Sequence, residues 1–158
     1  MEPKLLFNVL VIFLHNLFTV VWMGGLIVSV ISFLPALKRA YNGATPQVKK
    51  VMRQYQRRHS VWVYISMGGL LLTGMILSNF NPGYSRLFNF ENTFSTVLSI
   101  KHILVLLMIV VTLYRSLVSG KIKGALTPQQ ENLNQVLMVG NAVLAVLVLL
   151  ASAAVMAF

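Results

Sequence analysis

The sequence predicts an all-α fold, an integral membrane four-helix bundle, and three observations support that prediction. Of the 158 residues, 57% are hydrophobic and only 10% are charged, whereas a soluble domain carries roughly 25% charged residues. The apolar residues fall in four blocks, each long enough for the about 20 residues that a transmembrane helix needs. Ten of the 13 Lys and Arg residues lie in or next to two of the segments between these blocks.

The four blocks place the predicted helices at about residues 5–37, 60–80, 94–118 and 133–158. These helices use most of the chain, so we predict one transmembrane domain over residues 1–158. The first block is more than twice as long as the about 7–15 apolar residues of a signal peptide, and we predict a retained helix. We expect Pro35, near the end of this block, to bend or end the helix.

Two helix starts are predicted by local signals. Thr45-Pro46 is typical of a turn, and the residues from Gln47 onward fit a basic helix that leads into the second apolar block. Thr127-Pro128, with Gln130 three residues after the threonine, predicts the start of the fourth helix.

The distribution of basic residues predicts the orientation in the membrane. The end of the third block and the segments after the first and third blocks contain Lys38, Arg39, Lys49, Lys50, Arg53, Arg57, Arg58, Arg115, Lys121 and Lys123. With four crossings both segments lie on one side, and the positive-inside rule assigns that side to the cytoplasm, with both termini outside. We therefore predict a multi-pass protein of the inner (plasma) membrane, whose basic segments meet anionic lipids rather than nucleic acid.

Several classes of chemistry are excluded or disfavoured by composition. The chain has no cysteine, which excludes disulfides, thiolate metal sites and a cysteine nucleophile. It has no aspartate, and Glu2, Glu91 and Glu131 lie at ends or in loops, which argues against proton-coupled transport and two-carboxylate catalysis. The sequence also lacks nucleotide-binding and serine-hydrolase motifs.

Polar residues recur at seven-residue intervals in each predicted helix. The recurring residues are Asn8, His15, Trp22 and Ser29, then His59, Ser66 and Thr73, then Ser95 and His102, then Asn134 and Asn141. Polar side chains are costly in a membrane and usually face the interior of the bundle. The pattern therefore predicts one shared polar interior.

His15 and His102 are the candidate metal ligands. Each lies early in a helix that runs from outside to inside, so we expect both in the outer half of the membrane and facing each other. Two imidazoles facing across an apolar bundle favour axial ligation of haem b. The alternative for His15 is an interhelical hydrogen bond, to Asn141 or a serine. His59, at the cytoplasmic end, is a less favoured ligand and suits an interfacial position.

Five further residues are predicted to contact the cofactor. The glycine pairs Gly24-Gly25 and Gly68-Gly69 allow close helix packing, which is the simpler interpretation, and they also leave space for a flat ring. We therefore predict cofactor contacts at Trp22, Gly25 and Gly69. Arg86 and Lys101 are the predicted partners of the haem propionates.

Copper is the competing cofactor, because imidazole suits copper and thioether suits Cu(I). The eight methionines are scattered. Met67, Met75 and Met108 fit packing roles better than a ligand cluster.

The sequence resembles the membrane domains of copper resistance protein D (CopD) over roughly the first three helices. The first match is His15 and Trp22, separated by six residues, followed by Gly24-Gly25; the second is Arg57-Arg58 with Leu72-Thr73-Gly74; the third is Lys101 with Arg115. The resemblance implies a four-helix membrane domain and copper handling.

A weaker similarity is to HemJ-type protoporphyrinogen oxidases, which bind haem b. It is carried by His15, its spacing to Trp22, and Lys101. The Tyr-Leu-Pro-Arg run of those enzymes is replaced here by Phe33-Leu34-Pro35-Ala36, which weakens the expectation of oxidase activity.

The leading hypothesis is a cytochrome-like membrane protein that binds haem b through His15 and His102 and transfers electrons or serves a redox complex. The alternatives are a copper transport or resistance protein, a HemJ-like oxidase and a cofactor-free scaffold subunit. Whether the chain is an enzyme, which redox partner or complex it joins, and whether it forms a homo-oligomer stay open at this level.

Overall fold

The computed structural model describes residues 2–43, 45–80, 88, 90–121 and 127–157. Its helices are α1 (Pro3–Ala40), α2 (Pro46–Phe80), α3 (Thr93–Lys121) and α4 (Pro128–Ala157). The described ranges contain no β-strand. The predicted all-α class is therefore confirmed.

All four helices are long and apolar enough to cross a membrane. Large apolar side chains are exposed along each of them, for example Phe13, Leu72, Val110 and Leu150. Such surfaces are unfavourable in water and normal against lipid. The number of predicted membrane helices is thus confirmed.

α2 and α4 begin at the prolines of the Thr45-Pro46 turn signal and the Thr127-Pro128 capping signal. α2 begins at Pro46, well before its apolar block, and the Val48 N–H donates to Thr45 Oγ1 at 3.4 Å. At the start of α4 the Thr127 N–H donates to Gln130 Oε1 at 3.0 Å, and the Gln130 N–H donates to Thr127 Oγ1 at 3.3 Å. This reciprocal pair is a capping box, as Thr127 and Gln130 predicted.

Pro35 does not end α1, which continues to Ala40. A proline inside a helix lacks an N–H and crowds the carbonyl four residues earlier. Here the preceding turn, Ser29–Phe33, is π-helical, and this wider turn changes the hydrogen-bond ladder where the proline would disturb it. A second π-helical turn covers Val20–Gly24 and contains the buried side chains of Trp22 and Met23.

The chain forms two compact units, Met1–Tyr84 and Ser85–Phe158. In the first unit α1 and α2 pack antiparallel. The rings of Phe7 and Phe80 lie 6.3 Å apart between centroids, near one end of the pair. Those of Phe33 and Tyr55 lie 4.5 Å apart near the other end.

In the second unit α3 packs against α4. Met108 of α3 and Ala145 and Val148 of α4 are almost completely buried. Two polar pairs join the helices: Arg115 Nε donates to Asn134 Oδ1 at 2.8 Å, and Asn141 Nδ2 donates to Thr112 Oγ1 at 3.0 Å. Such interhelical bonds replace water for side chains placed within a membrane.

Two aromatic side chains of the first unit pack on glycines of the opposite helix. A Cβ on Gly69 of α2 would overlap the ring of Phe18 of α1, and a Cβ on Gly25 of α1 would lie 2.5 Å from His59 Cε1 of α2. The absence of a side chain at each glycine therefore lets the two helices approach closely.

Gly69→Ala is expected to lower the free energy of unfolding by about 1–3 kcal/mol, the usual cost of overpacking, because the Phe18 ring must move. Gly68→Ala is the matched control, since a Cβ there meets no atom within 4 Å. Thermal unfolding of both variants in detergent checks this. Equal stability of the two variants would contradict the described packing.

Candidate functional site

His15 of α1 is held by a hydrogen-bond chain from α2. His15 Nδ1 lies 2.8 Å from Thr73 Oγ1, and that hydroxyl lies 2.7 Å from the carbonyl oxygen of Gly69. A hydroxyl has one hydrogen, which Thr73 donates to the carbonyl, so Oγ1 accepts from His15 Nδ1–H. In a neutral ring the remaining lone pair is then on Nε2.

The surroundings of His15 place its ring against a small residue. A Cβ on Gly74 would lie 3.8 Å from His15 Cε1, so the imidazole lies over a glycine of α2. The alternative of an interhelical hydrogen bond for His15 is confirmed, and Thr73 of α2 is a partner. Asn141 donates to Thr112.

His102 of α3 has the same tautomer as His15, fixed by a different acceptor. Its Nδ1 lies 2.7 Å from the carbonyl oxygen of Leu98, one turn earlier in the same helix. A carbonyl can only accept, so Nδ1 carries the proton and the neutral ring has its lone pair on Nε2. The ring is half-buried, as is the neighbouring Lys101.

His59 of α2 contacts one residue of its own helix and one of α1. Its ring stacks on Tyr55, with centroids 5.4 Å apart and planes 12° apart, and lies on Gly25. Its Nε2 is buried and has no hydrogen-bond partner among the described residues. His59 therefore packs between α1 and α2, and its interfacial position in the membrane stays a prediction.

Tyr55 connects this histidine to α1, and sequence reasoning missed it. Its hydroxyl lies 2.7 Å from Ser29 Oγ. Because Ser29 Oγ donates to the Gly25 carbonyl at 2.6 Å, the tyrosine is the donor to the serine. Tyr55 stands in a run of basic and polar residues, whose composition gave no signal of helix packing.

The other residues that were predicted to contact the cofactor lie in different environments. Trp22 is 1% exposed within the first π-helical turn. Gly25 and Gly69 lie under the rings of His59 and Phe18, so both have the packing role that was the simpler interpretation. Their contact with a cofactor stays a prediction. Arg86 lies outside the described residues.

No group of three or more His, Cys, Asp or Glu side chains that could hold a metal ion occurs within the described ranges. In comparisons with known proteins, no family model, no curated protein and no solved structure matches the chain. The resemblance to CopD and HemJ therefore stays a prediction.

Thr73→Val keeps the side-chain shape and removes the hydroxyl that links His15 to α2. We expect it to lower the free energy of unfolding by about 0.6 kcal/mol, the average for interhelical hydrogen bonds in membranes, and by no more than about 2 kcal/mol. Thr73→Ser should restore the stability. Ser78→Ala is the control, because Ser78 Oγ donates to the Met75 carbonyl of its own helix and to no other helix among the described residues. Unfolding in detergent distinguishes them; a loss in Ser78→Ala as large as in Thr73→Val would count against the link.

Proposed function

We propose that this protein is a cytochrome-like membrane protein that binds one haem b, with His15 and His102 as the axial ligands. The observation that supports the proposal is that both imidazole rings have the same tautomer. Each donates its Nδ1–H to a fixed acceptor, Thr73 Oγ1 for His15 and the Leu98 carbonyl for His102. Each therefore has its lone pair on Nε2.

This donor set fits what haem iron needs. A histidine ligand almost always donates its second ring N–H to a carbonyl, carboxylate or other acceptor, which fixes the ring and makes the ligating nitrogen more basic. Apolar residues around such a ligand control solvent access and redox potential. When bound, haem would supply one-electron chemistry, while the chain holds the rings and excludes water.

The remaining residues of the proposed site have supporting roles. Lys101, next to His102, and Arg86 are proposed to neutralise the propionates, which need cations or water. Trp22 is proposed as an apolar wall. The redox partner would be a second membrane or surface protein able to exchange single electrons.

An optical spectrum of the purified protein, before and after addition of haemin, tests the proposal. We expect a Soret band in the wild type, its loss or strong reduction in His15→Ala and in His102→Ala, and its retention in His59→Ala. His59 is the matched control because it is the remaining histidine of the chain.

Two results would contradict the assignment. A wild-type protein that shows no Soret band even with added haemin would refute haem binding. A band unchanged in both His15→Ala and His102→Ala would refute these ligands. Copper analysis of the same samples tests the CopD-like alternative, because bound copper that is lost in the same variants would make copper the cofactor. An assay of protoporphyrinogen oxidation tests the HemJ-like alternative.

We also propose that both termini lie outside the cytoplasm and that the α1–α2 segment lies inside it, in the inner membrane. The basic residues support this orientation through the positive-inside rule. The chain has no cysteine, so single cysteines report cleanly. We expect a membrane-impermeant maleimide to label Lys4→Cys in intact cells and Lys50→Cys only after permeabilisation. The reverse pattern would invert the topology.

A further inference from the structure

The contact between His59 and Gly25 joins α1 and α2 in the part of the hairpin next to the basic residues. The ring of His59 stacks on Tyr55, with planes 12° apart, and lies on Gly25, where a Cβ would come 3.0 Å from His59 Nε2. This Nε2 is buried and has no hydrogen-bond partner among the described residues. A buried polar atom without a partner is uncommon and requires an explanation.

This contact favours a neutral imidazole over the charged form. A neutral ring can keep its proton on Nδ1 and place the lone pair of Nε2 against Gly25. An imidazolium carries N–H groups on both nitrogens, so its Nε2–H would be a buried charged donor without an acceptor, which is strongly unfavourable. Stacking attracts the charged ring to the face of Tyr55, but it supplies no acceptor for Nε2–H.

Neither α1 nor α2 contains a carboxylate that could hold an imidazolium at this contact, because neither helix has an Asp or Glu residue. On α1 this part of the helix pair consists of the uncharged residues Gly25, Ser29 and Phe33. The titratable residues nearest in sequence on the two helices are His15, Lys38, Tyr55, Arg57, Arg58 and Tyr64. On these two helices a charged His59 therefore meets only neutral or positively charged groups.

A charged ring has a more favourable environment within reach. His59 follows the exposed side chains of Arg57 and Arg58 and directly precedes the second apolar block. It thus lies at the border between the charged and the apolar part of α2. A change of rotamer there moves the imidazole toward water or lipid phosphates.

The backbone of α1 at this contact is irregular. Gly25 begins the short α-helical segment Gly25–Val28, which has a π-helical turn on each side. Such turns within α-helices are frequent at functional sites. Ser29, in the second π-helical turn, donates to the Gly25 carbonyl at 2.6 Å and lies 2.7 Å from the Tyr55 hydroxyl. Its hydrogen bonds therefore depend on the residue on which His59 rests.

We propose that His59 is a proton-dependent switch: the neutral ring closes the contact with Gly25, and protonation releases the ring and loosens α1 against the first half of α2. Acidification on the side of the membrane where the basic segments lie then opens the hairpin between Gly25 and Phe33. The inference is independent of the haem proposal, since it uses neither His15 nor His102 as a ligand.

Backbone amide hydrogen exchange of residues 26–33 in detergent, measured by mass spectrometry, reports this opening. A released imidazole in water titrates near pH 6.5, so the open fraction should rise about tenfold from about pH 8 to about pH 5.5. His59→Phe and His59→Gln are the references, because they retain the other two histidines and comparison at one pH removes the intrinsic pH dependence of exchange. We expect the ratio of wild-type to variant exchange rates to be about tenfold higher at the lower pH.

Gly25→Ala tests the same contact without changing a titratable group. Its Cβ would lie 2.5 Å from His59 Cε1 and displace the ring, so residues 26–33 should exchange fast already at the higher pH. Gly24→Ala is the matched control, since its Cβ would meet Val20 Cγ1 at 3.9 Å, and it should keep the wild-type behaviour. A wild-type to variant ratio that is the same at both pH values would overturn the proposal, as would a Gly25→Ala protein with the full wild-type pH dependence.

Discussion

The α1–α2 pair depends on one interaction: a polar side chain placed in an apolar helix pair is stabilised by a hydrogen bond within the protein. His15 shows how the chain forms it. The imidazole donates to Thr73, and Thr73 donates to the backbone of Gly69, which Phe18 covers. In one contact region of α1 and α2, the Phe18 ring thus packs on Gly69, and the Thr73 hydroxyl links His15 to the backbone. This link fixes the tautomer of His15. Water could replace none of these contacts within a lipid layer.

Much of the fold follows from features that the sequence carries locally. Apolar block length predicts four helices because the bilayer sets the length of a spanning helix. Thr127 and Gln130 predict the start of α4, because capping is a contact between residues three apart. The start of α2 at Pro46 follows from the Thr45-Pro46 signal rather than from hydropathy, since a basic segment has no apolar signal. There the helix is stabilised by packing of Val48, Met52 and Tyr55.

The candidate site was less predictable, for a physical reason. The seven-residue pattern selects a face of a regular helix, but α1 contains π-helical turns at Val20–Gly24 and Ser29–Phe33. Each such turn rotates the residues that follow it around the helix axis. The pattern still identified His15 and Thr73 as polar interior residues, yet it could not pair them. Nor could it show that the ring of His59 would lie on Gly25, because that contact depends on how α2 approaches α1.

The central claim is that the fold holds His15 with its proton on Nδ1. The most direct measurement is ¹⁵N NMR of protein with ¹⁵N-labelled histidine, at a pH where the rings are neutral and without added haem. The account predicts that His15 has the Nδ1–H tautomer and that Thr73→Val shifts its signals while leaving those of His102 unchanged. A His15 ring protonated on Nε2, or signals insensitive to Thr73→Val, would contradict it.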